Sequence, residues 1–378
     1  MTDLFLYGTL RHLPLLWTVL GRDGDASDLV EAHLPHHRVT WVLDEPFPMI
    51  ARSPDHVAQG IVLLGLSDDD MARLNFYEGG FDYTLREMTV TQADGTQRLA
   101  RLYFPDAELW QPGLDWSLSE WAARWGAITV AAAEEVMGYF GNRDAADVAR
   151  MFPMIRTRAS SRVRANQGSS AWVPSGKGAD QVTIYDRRRV HANYFALDEL
   201  DLSFEKFDGE RSARTKREVF VLQDAAIILP YDPVTDRVLL VEQMRSGPLV
   251  RGDDAVWQLE AVAGRIDPGE TPEEAARREA REEAGLDIRS LETVAEAYAS
   301  PSCTTEYYFI YIGIADLPET GGDGYGLSHE TEDIRTLVMS FDQLMEMVDH
   351  LHAANAPLVL AALWLARARD RLRMDATR

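Results

Sequence analysis

The sequence has little of three things, which are cysteine, positive charge and long apolar runs. The single cysteine among 378 residues, Cys303, excludes a disulfide framework within the chain and is typical of a reducing compartment. No apolar run approaches the length of a membrane-spanning helix, and the chain does not open with a basic and then apolar signal peptide. We therefore expect a cytoplasmic protein with no membrane partner.

Positive charge is scarce, because 38 Lys and Arg residues face 61 Asp and Glu residues and the formal net charge is -23. A surface of this sign repels a phosphate backbone, so the composition argues against nucleic acid as a partner. A small anionic substrate is still compatible if a metal ion and nearby arginines reverse the field at one site. The length, with 46% hydrophobic residues, is sufficient for two domains with real cores.

The most informative stretch is GRIDPGETPEEAARREAREEAGL, which runs from Gly264 to Leu286. Its beginning contains two glycines around a proline and predicts a tight loop. Thr271 is a good N-cap, Pro272 suits the first helical position, and Glu274 completes a capping box with Thr271. Gly285 is a natural helix end. The sequence therefore predicts a loop followed by one well-defined helix.

Three acids of this helix, Glu279, Glu282 and Glu283, share one face because they are spaced i, i+3 and i+4. Such crowding of negative charge is costly unless a cation binds. Carboxylates beside the backbone carbonyls of the loop form an all-oxygen setting, which suits Mg²⁺ or Mn²⁺ better than zinc. The alternative is a solvated helix with ordinary ion pairs, but it does not explain the fixed glycines. The helix predicts a divalent-metal site for diphosphate chemistry.

The spacing of this stretch resembles the signature of the Nudix hydrolases. The positions that match are Gly264, Glu270, Arg278, Glu279, Glu282, Glu283, Gly285 and Leu286. Ala280 is small where the family often has a larger aliphatic residue. The resemblance implies that the Ala263 carbonyl, Glu279 and Glu283 hold a metal ion. It also implies that Glu282 shares a second or third ion, which makes it a catalytic candidate as well.

Other segments resemble the ADP-ribose pyrophosphatase branch of that family, whose usual marker is the proline found here as Pro301. The remaining matches are Tyr231 to Pro233, Glu242 to Arg245, Leu259 to Gly264, Ser300, and Glu330 to Arg335. The resemblance implies hydrolysis of ADP-ribose to AMP and ribose 5-phosphate with Mg²⁺. Another nucleoside diphosphate sugar, such as GDP-mannose, is the alternative substrate. The branch also includes fused proteins described as tellurite-resistance proteins.

The same resemblance assigns roles outside the helix. Arg245 is expected to hold a phosphate of the substrate. Arg217 and Glu218 are expected near the nucleotide, with a reach across the interface of a homodimer formed by the Nudix domain. Catalysis also needs a base, which the helix lacks. Glu330 and Glu332 are the two candidates, because their loop follows a glycine-rich segment that can close over the substrate.

Near the N-terminus, a predicted strand runs into a glycine turn that exposes backbone N–H groups. This turn and a later Glu-Gly pair resemble the gamma-glutamylcyclotransferase-like family. The residues that carry the resemblance are Tyr7, Gly8, Thr9, Leu10, Glu78, Gly79 and Tyr83. It implies that the first loop holds a gamma-glutamyl group and that Glu78 is the general acid and base in the release of 5-oxoproline. A domain without catalysis, which serves as a ligand sensor or as a dimer partner for the Nudix domain, is the alternative.

We therefore expect an α/β (α+β) protein with two domains. Residues 1–150 should form a small β-barrel-like domain, and residues 182–378 a Nudix α/β/α sandwich with a mixed sheet. Residues 151–181 should be a flexible linker, because the sequence from 156 to 180 is rich in Ser, Gly and Arg. The tryptophans between residues 110 and 125 should pack in a core.

Overall fold

A computed structural model describes residues 2–80, 83–105, 109–168, 171–326 and 332–377 of the chain. The chain divides into an N-terminal unit, Met1–Val173 with Ala192–Tyr194, and a C-terminal unit, Pro174–His191 with Phe195–Arg378. In the described ranges, no helix is both long and apolar enough to span a membrane. The two units are described separately below.

The N-terminal unit is built on a barrel. Its strands are β1 (Thr2–Leu6), β2 (Leu29–Val42), β3 (Pro48–Leu66), β4 (Tyr83–Gln92), β5 (Gln97–Pro105) and β6 (Pro112–Asp115). They pair in the order β3-β1-β5-β4-β2-β6, and β2 also pairs with β3, so that β1 to β5 close on themselves. Phe5, Val62 and Leu102 are buried in its core. The expected small barrel is confirmed.

Helices cover this barrel and extend beyond it. They are α1 (Leu13–Leu20), α2 (Asp68–Glu78), α3 (Leu118–Trp121), α4 (Ala127–Met137) and α5 (Ala145–Ala165). Helix α2 begins with a capping box, in which the Ser67 hydroxyl accepts from the Asp70 backbone N–H at 3.1 Å. The cap sets where α2 starts, and the helix then delivers Glu78 as its last residue.

The prediction of a flexible linker is wrong for residues 151–165, because they form the second part of α5. The buried side chains of this part are mostly small or polar: Met151, Ile155, Thr157, Arg158, Ala159, Ser160 and Ser161. The guanidinium of Arg158 is buried because its Nη2 donates to Glu135 Oε1 on α4 at 2.6 Å. The N-terminal unit therefore extends past residue 150.

The C-terminal unit contains two sheets. Its strands are β7 (Val182–Ala192), β8 (Ala196–Phe204), β9 (Thr215–Val221), β10 (Ala225–Asp232), β11 (Arg237–Met244), β12 (Trp257–Glu260), β13 (Val262–Arg265), β14 (Ser290–Tyr298), β15 (Tyr307–Ile314), β16 (Asp323–Tyr325) and β17 (Ile334–Ser340). Strands β7-β8-β9 form one sheet, and the other has the order β14-β15-β10-β11-β17-β16 with β12 on β11 and β13 on β10. The larger sheet is mixed, because β10 is parallel to β15 and antiparallel to β11.

Helices lie on both faces of the larger sheet. They are α6 (Ser246–Arg251), α7 (Pro272–Ala284), α8 (Phe341–Asp349) and α9 (Ala356–Ala376). Side chains alternate along β10, so Ile228 packs in one core with Ala276 and Ala280 of α7. Ile227 packs in the other core, together with Leu358 and other apolar residues of α8 and α9. The expected α/β/α sandwich is confirmed, and α7 lies against one face of the larger sheet.

Candidate functional site

Helix α7 begins and ends at the predicted residues. The Thr271 hydroxyl accepts from the Glu274 N–H at 3.2 Å, and the Glu274 carboxylate accepts from the Thr271 N–H at 2.8 Å. Gly285 ends the helix in the left-handed region, with φ of 63°. These local contacts fix the axial position of the helix and therefore of the acids that it carries.

Four glutamates, Glu270, Glu279, Glu282 and Glu283, are called the acidic cluster below. Arg278 donates hydrogen bonds to three of them. Its Nε donates to Glu270 Oε1 at 2.9 Å, and its Nη1 donates to Glu279 Oε1 at 2.6 Å and to Glu282 Oε2 at 3.0 Å. Its Nη2 also donates to the Arg265 carbonyl at 2.9 Å. One guanidinium therefore joins the loop to the helix and neutralises part of the cluster.

Two members of the acidic cluster are buried. Glu279 is 9% exposed and Glu283 is 2% exposed. Burial raises the pKa of Glu279 to about 7, against the opposing effect of Arg278. Burial and the neighbouring Glu279 raise the pKa of Glu283 to about 8, although Glu283 Oε2 accepts from the Ala263 N–H at 3.2 Å. The negative charge of this pair is incompletely compensated, which favours the binding of a cation.

Gly264 explains why the loop before α7 needs glycine. A Cβ atom at this position would lie 1.9 Å from Glu279 Oε1 and 2.0 Å from its Cδ. No side chain fits there unless Glu279 moves. The backbone of β13 therefore lies directly beside the Glu279 carboxylate. The resemblance to the Nudix signature implies a site of this kind, in which backbone and side-chain oxygens lie together.

The donor set fits a hard divalent cation, because it consists of carboxylates that lie beside a strand backbone. Glu279, Glu282 and Glu283 would hold such an ion. Within the described residues, however, no three His, Cys, Asp or Glu side chains form a group that could hold a metal ion. Arg278 Nη1 donates to both Glu279 and Glu282.

Arg245 extends the site beyond the helix. Its Nη2 donates to Glu260 Oε2 at 2.7 Å, and Asn355 donates to the other oxygen of Glu260 at 3.2 Å. Burial opposes the charge of Arg245, but pairing with Glu260 raises its pKa, with further contributions from Glu283 and Glu332. Arg245 and Glu332 are therefore both close enough to Glu283 to act on it electrostatically.

The other predicted residues of the C-terminal unit are not gathered in this way. Arg217 and Glu218 are exposed on β9, where Arg217 Nη1 donates to Thr215 Oγ1 and to the Lys216 carbonyl at 2.8 Å. As far as the structure describes the chain, neither Arg217 nor Glu218 contacts the acidic cluster. Glu330 lies outside the described residues.

The N-terminal unit holds a cavity of about 420 Å³. Its lining includes every residue that the resemblance placed in the gamma-glutamyl site, namely Tyr7, Gly8, Thr9, Leu10 and Glu78. The turn after β1 and the end of α2 are distant in sequence, and the closed barrel brings them to one place.

Glu78 is half-buried by surface area because it faces the cavity, yet it is deeply surrounded by protein atoms. Burial raises its pKa to about 7. Burial also raises the pKa of Tyr7, helped by Tyr83 and Glu78, and the hydroxyls of Tyr7 and Tyr83 are hydrogen-bonded to each other. Tyr103 lines the same cavity and donates to Asn75 Oδ1 at 2.7 Å. The Glu78 carboxyl group, with a pKa of about 7, can take up and release a proton near neutral pH.

Sequence reasoning missed the residues that α5 and its neighbour contribute to this cavity. Trp125 was expected to pack in a core and Arg156 to lie in the linker, but both line the cavity together with Phe152. The guanidinium carbon of Arg156 lies 5.6 Å from the centre of the Trp125 ring. The recurrence of apolar residues at positions 148, 151, 155 and 159 was the signal that could have revealed the helix.

Comparison with known proteins gives two family matches and several relatives. The family model described as NUDIX domain matches residues 221–362, and the one described as Gamma-glutamyl cyclotransferase, AIG2-like matches residues 4–123. An ADP-ribose pyrophosphatase of Escherichia coli (strain K12) is 38% identical over 193 residues, which are 51% of this chain and 91% of the relative.

Two further relatives match slightly smaller shares of this chain. An ADP-ribose pyrophosphatase of Haemophilus influenzae is 30% identical over 186 residues, which are 49% of this chain and 85% of the relative. A GDP-mannose pyrophosphatase of Escherichia coli O1:K1 / APEC is 33% identical over 168 residues, which are 44% of this chain and 86% of the relative.

Proposed function

This chain belongs to the Nudix hydrolase family and carries an N-terminal AIG2-like gamma-glutamyl cyclotransferase domain, and we propose that its C-terminal unit hydrolyses ADP-ribose to AMP and ribose 5-phosphate. The acidic cluster carries this proposal, because it places buried, incompletely compensated carboxylates within electrostatic range of Arg245 and Glu332. Two of the relatives described above are named ADP-ribose pyrophosphatase, which supports this choice of substrate.

The side chains divide the work of splitting a diphosphate. Mg²⁺, or alternatively Mn²⁺, held by the Ala263 carbonyl, Glu279, Glu282 and Glu283 would neutralise charge on the phosphates and lower the pKa of a bound water. Arg245 binds a phosphate oxygen through Nη1, since its Nε and Nη2 both donate to Glu260.

Arg278 has a positioning role. Through its hydrogen bonds to Glu270, Glu279 and Glu282 it holds the loop against α7.

Glu332 is the base that we assign to the attacking water. It is half-buried just before β17, and its charge contributes to the raised pKa of both Glu279 and Glu283. A carboxylate at that range can accept a proton from water that attacks a phosphorus atom. Glu330 is the second candidate for this role. Glu332→Gln and Glu330→Gln, assayed separately, distinguish the two, because only loss of the base should lower kcat by about 100-fold or more.

The test of the substrate is a direct comparison. Purified full-length protein with Mg²⁺ should release AMP from ADP-ribose with a higher kcat/KM than it releases GMP from GDP-mannose. Nucleotide products are quantified by liquid chromatography, and chelation of the metal should stop both reactions. A higher kcat/KM for GDP-mannose would overturn the substrate assignment and favour the nucleoside diphosphate sugar alternative, to which the GDP-mannose pyrophosphatase relative points.

We extend the proposal to a homodimer formed through the C-terminal unit. Arg217 and Glu218 are exposed on β9 and, in the described part of one chain, do not contact the acidic cluster. In a dimer, β9 of one copy can reach the nucleotide site of the other. Mixing the inactive variants Arg217→Ala and Glu283→Gln should then restore part of the activity in mixed dimers, and no restoration would count against this arrangement.

A second candidate function belongs to the N-terminal unit, and the cavity that joins Glu78 to the Tyr7–Leu10 turn favours it. The α-amine of a gamma-glutamyl compound attacks its own side-chain carbonyl carbon, so that a lactam C–N bond forms and the original amide C–N bond breaks. Glu78 accepts the proton from the attacking amine and gives it to the leaving amine. The products are 5-oxoproline and a free amine.

Mass spectrometry of 5-oxoproline after incubation with gamma-glutamyl compounds tests this candidate. Glu78→Gln should abolish release and leave ADP-ribose hydrolysis unchanged. Binding of these compounds without any 5-oxoproline release would leave the ligand-sensor alternative in its place.

A further inference from the structure

The N-terminus of α9 lies beside the ion pair between Arg245 and Glu260. Asn355 is the N-cap of this helix, and its Oδ1 accepts from the Leu358 backbone N–H at 3.0 Å. Its Nδ2 donates to Glu260 Oε1 at 3.2 Å, across 95 residues of sequence. The two ends of one amide group therefore have different partners: the oxygen caps the helix, and the nitrogen binds the acid that pairs with Arg245.

Glu260 has a different partner for each of its carboxylate oxygens. Oε2 accepts from Arg245 Nε at 3.0 Å and from Arg245 Nη2 at 2.7 Å, whereas Oε1 accepts from Asn355. Glu260 is the last residue of β12 and is 7% exposed. Because a buried carboxylate oxygen without a donor is costly, the hydrogen bond from Asn355 holds the Glu260 carboxylate in one orientation.

The orientation of Glu260 in turn fixes the guanidinium of Arg245. The guanidinium is planar, so two donors on Glu260 Oε2 set the direction of the whole group and leave Nη1 for a phosphate. The Arg245 side chain is 40% exposed, and it therefore depends on its ion pair more than on packing for a fixed position. A rotation of the Glu260 carboxylate would move the phosphate-binding donor of Arg245.

Helix α9 gives this contact a fixed base. Leu358 and Ala361, in the first turns of the helix, are fully buried in one core with Ile227 of β10. The helix start is therefore held against the same sheet to which β12 and Glu260 belong. Asn355 can transmit this fixed position to Glu260 through a single hydrogen bond.

We propose that Asn355 is a positioning residue for diphosphate hydrolysis, which acts through Glu260 to hold Arg245 in the orientation that binds a phosphate oxygen. The inference rests on the ADP-ribose hydrolysis proposed above and adds to it a residue outside the acidic cluster. The competing interpretation is that Asn355 is a helix cap and nothing more.

Two variants keep the cap of α9 and remove the donor to Glu260. Asn355→Asp has nearly the same shape and an equally good N-cap, but it places an oxygen opposite Glu260 Oε1. Asn355→Ser keeps a capping hydroxyl and has no amide to reach Glu260. We expect each variant to lower kcat/KM for ADP-ribose by about tenfold or more in the full-length protein with Mg²⁺, because a misplaced binding group is costly in rate. Wild-type kcat/KM in both variants would overturn the inference.

Ser340→Ala is the matched control for the loss of a helix cap. Ser340 caps α8 by accepting from the Gln343 N–H at 3.1 Å, and its described hydrogen bonds do not involve Glu260. This variant should unfold at a lower temperature than the wild type and keep the wild-type kcat/KM. A fall in kcat/KM as large as that of the Asn355 variants would overturn the inference, because destabilisation alone would then explain both.

A double-mutant cycle shows whether Asn355 acts through Arg245. In the Arg245→Ala background, Asn355→Asp should change kcat/KM less than about twofold, because the group that it positions is absent. Combining Asn355→Asp with Glu260→Gln should restore part of the activity, since the exchange again places an amide donor opposite a carboxylate. An effect of Asn355→Asp that is equally large with and without Arg245 would overturn the inference.

The outcomes separate the inference from the function on which it rests. If the wild type does not hydrolyse ADP-ribose, the proposed hydrolysis fails, and calorimetric binding of ADP with Mg²⁺ decides the role of Asn355. Weaker binding of ADP to Asn355→Asp than to the wild type supports the inference if the difference disappears in the Arg245→Ala background. Equal binding to the two proteins, or no binding to either, overturns it.

Discussion

Gly264, on β13, is a position at which the backbone comes close to Glu279 of the acidic cluster. Replacing it with alanine would place a Cβ 1.9 Å from Glu279 Oε1, so the carboxylate must shift. Because a misplacement of about 1 Å in a catalytic site costs about 100-fold in rate, we expect Gly264→Ala to lower kcat for ADP-ribose by about that factor. Gly247→Ala is the control, since its Cβ would meet nothing within 4 Å. An unchanged kcat in Gly264→Ala would show that the position of Glu279 is not critical.

Glu78 makes the stability of the N-terminal unit depend on pH. Burial raises its pKa from an ordinary 4.5 to about 7, so the folded unit binds the proton more tightly than the unfolded chain. This contribution to stability is fully present below pH 4.5 and is lost as the pH rises through about 7. The groups facing Glu78 include Tyr7, Tyr77 and Tyr83, whose hydroxyls stay protonated in this range.

Glu78→Gln should remove this dependence. Between pH 5 and pH 8, the wild type should lose about 2 to 3 kcal/mol of unfolding free energy through Glu78, and the variant should not show this loss. Denaturant unfolding of both proteins at the two pH values, followed through the signal of the N-terminal unit, measures the difference. A difference that is the same at both pH values would show that Glu78 is not desolvated as described.

Two helices show what the sequence does and does not reveal at the scale of an element. Helix α7 could be predicted because its start and stop depend on adjacent residues, the Thr271 cap and Gly285. The later half of α5 was harder to predict, because most of its buried face consists of Ser, Thr, Ala and Arg158, whose burial depends on Glu135 of α4, and only the apolar spacing at positions 148, 151, 155 and 159 indicates the helix. Cavity residues on that half, including Arg156, were missed for the same reason.

Arg158 offers a test of whether α5 is a packed helix. Its side chain is 2% exposed and pairs with the largely buried Glu135 at 2.6 Å, so Arg158→Ala removes the charge that compensates this acid. Such a loss costs about 3 to 5 kcal/mol of stability. Arg162→Ala is the matched control on the same helix, because its pair with Glu134 is about half-exposed and should contribute about 1 kcal/mol or less. Equal, small effects of the two variants in denaturant unfolding would contradict the packed helix.

The whole molecule consists of two units, each of which contains a candidate site. The cavity is lined by residues of the N-terminal unit, and the acidic cluster lies in the C-terminal unit. The division into a barrel and a Nudix sandwich could be predicted, because both carry local motifs. The cavity and the contribution of α5 to its lining could not be predicted, because both arise from packing between segments that are distant in sequence.

Cleavage near the boundary of the units tests their independence. Trp172 is 86% exposed, so chymotrypsin should cut after it. The C-terminal fragment should hydrolyse ADP-ribose at an unchanged rate, because the acidic cluster and Arg245, which the structure describes, all belong to the C-terminal unit. Trp172→Ala should resist this cut while other digestion is unaffected. Loss of activity on cleavage, with the fragment still folded by circular dichroism, would show that the N-terminal unit supports catalysis.

The most direct measurement is ADP-ribose turnover by Glu283→Gln in the presence of Mg²⁺. Glu283 is 2% exposed in the acidic cluster, and an amide in its place removes the charge that we propose to bind the metal, with little change of shape. Glu273→Gln is the control, because Glu273 is exposed on the same helix and lies outside the cluster. We expect Glu283→Gln to lower AMP release by orders of magnitude with unaltered thermal unfolding, and Glu273→Gln to match the wild type. AMP release by Glu283→Gln at the wild-type rate would contradict the assignment of the acidic cluster as the hydrolytic site.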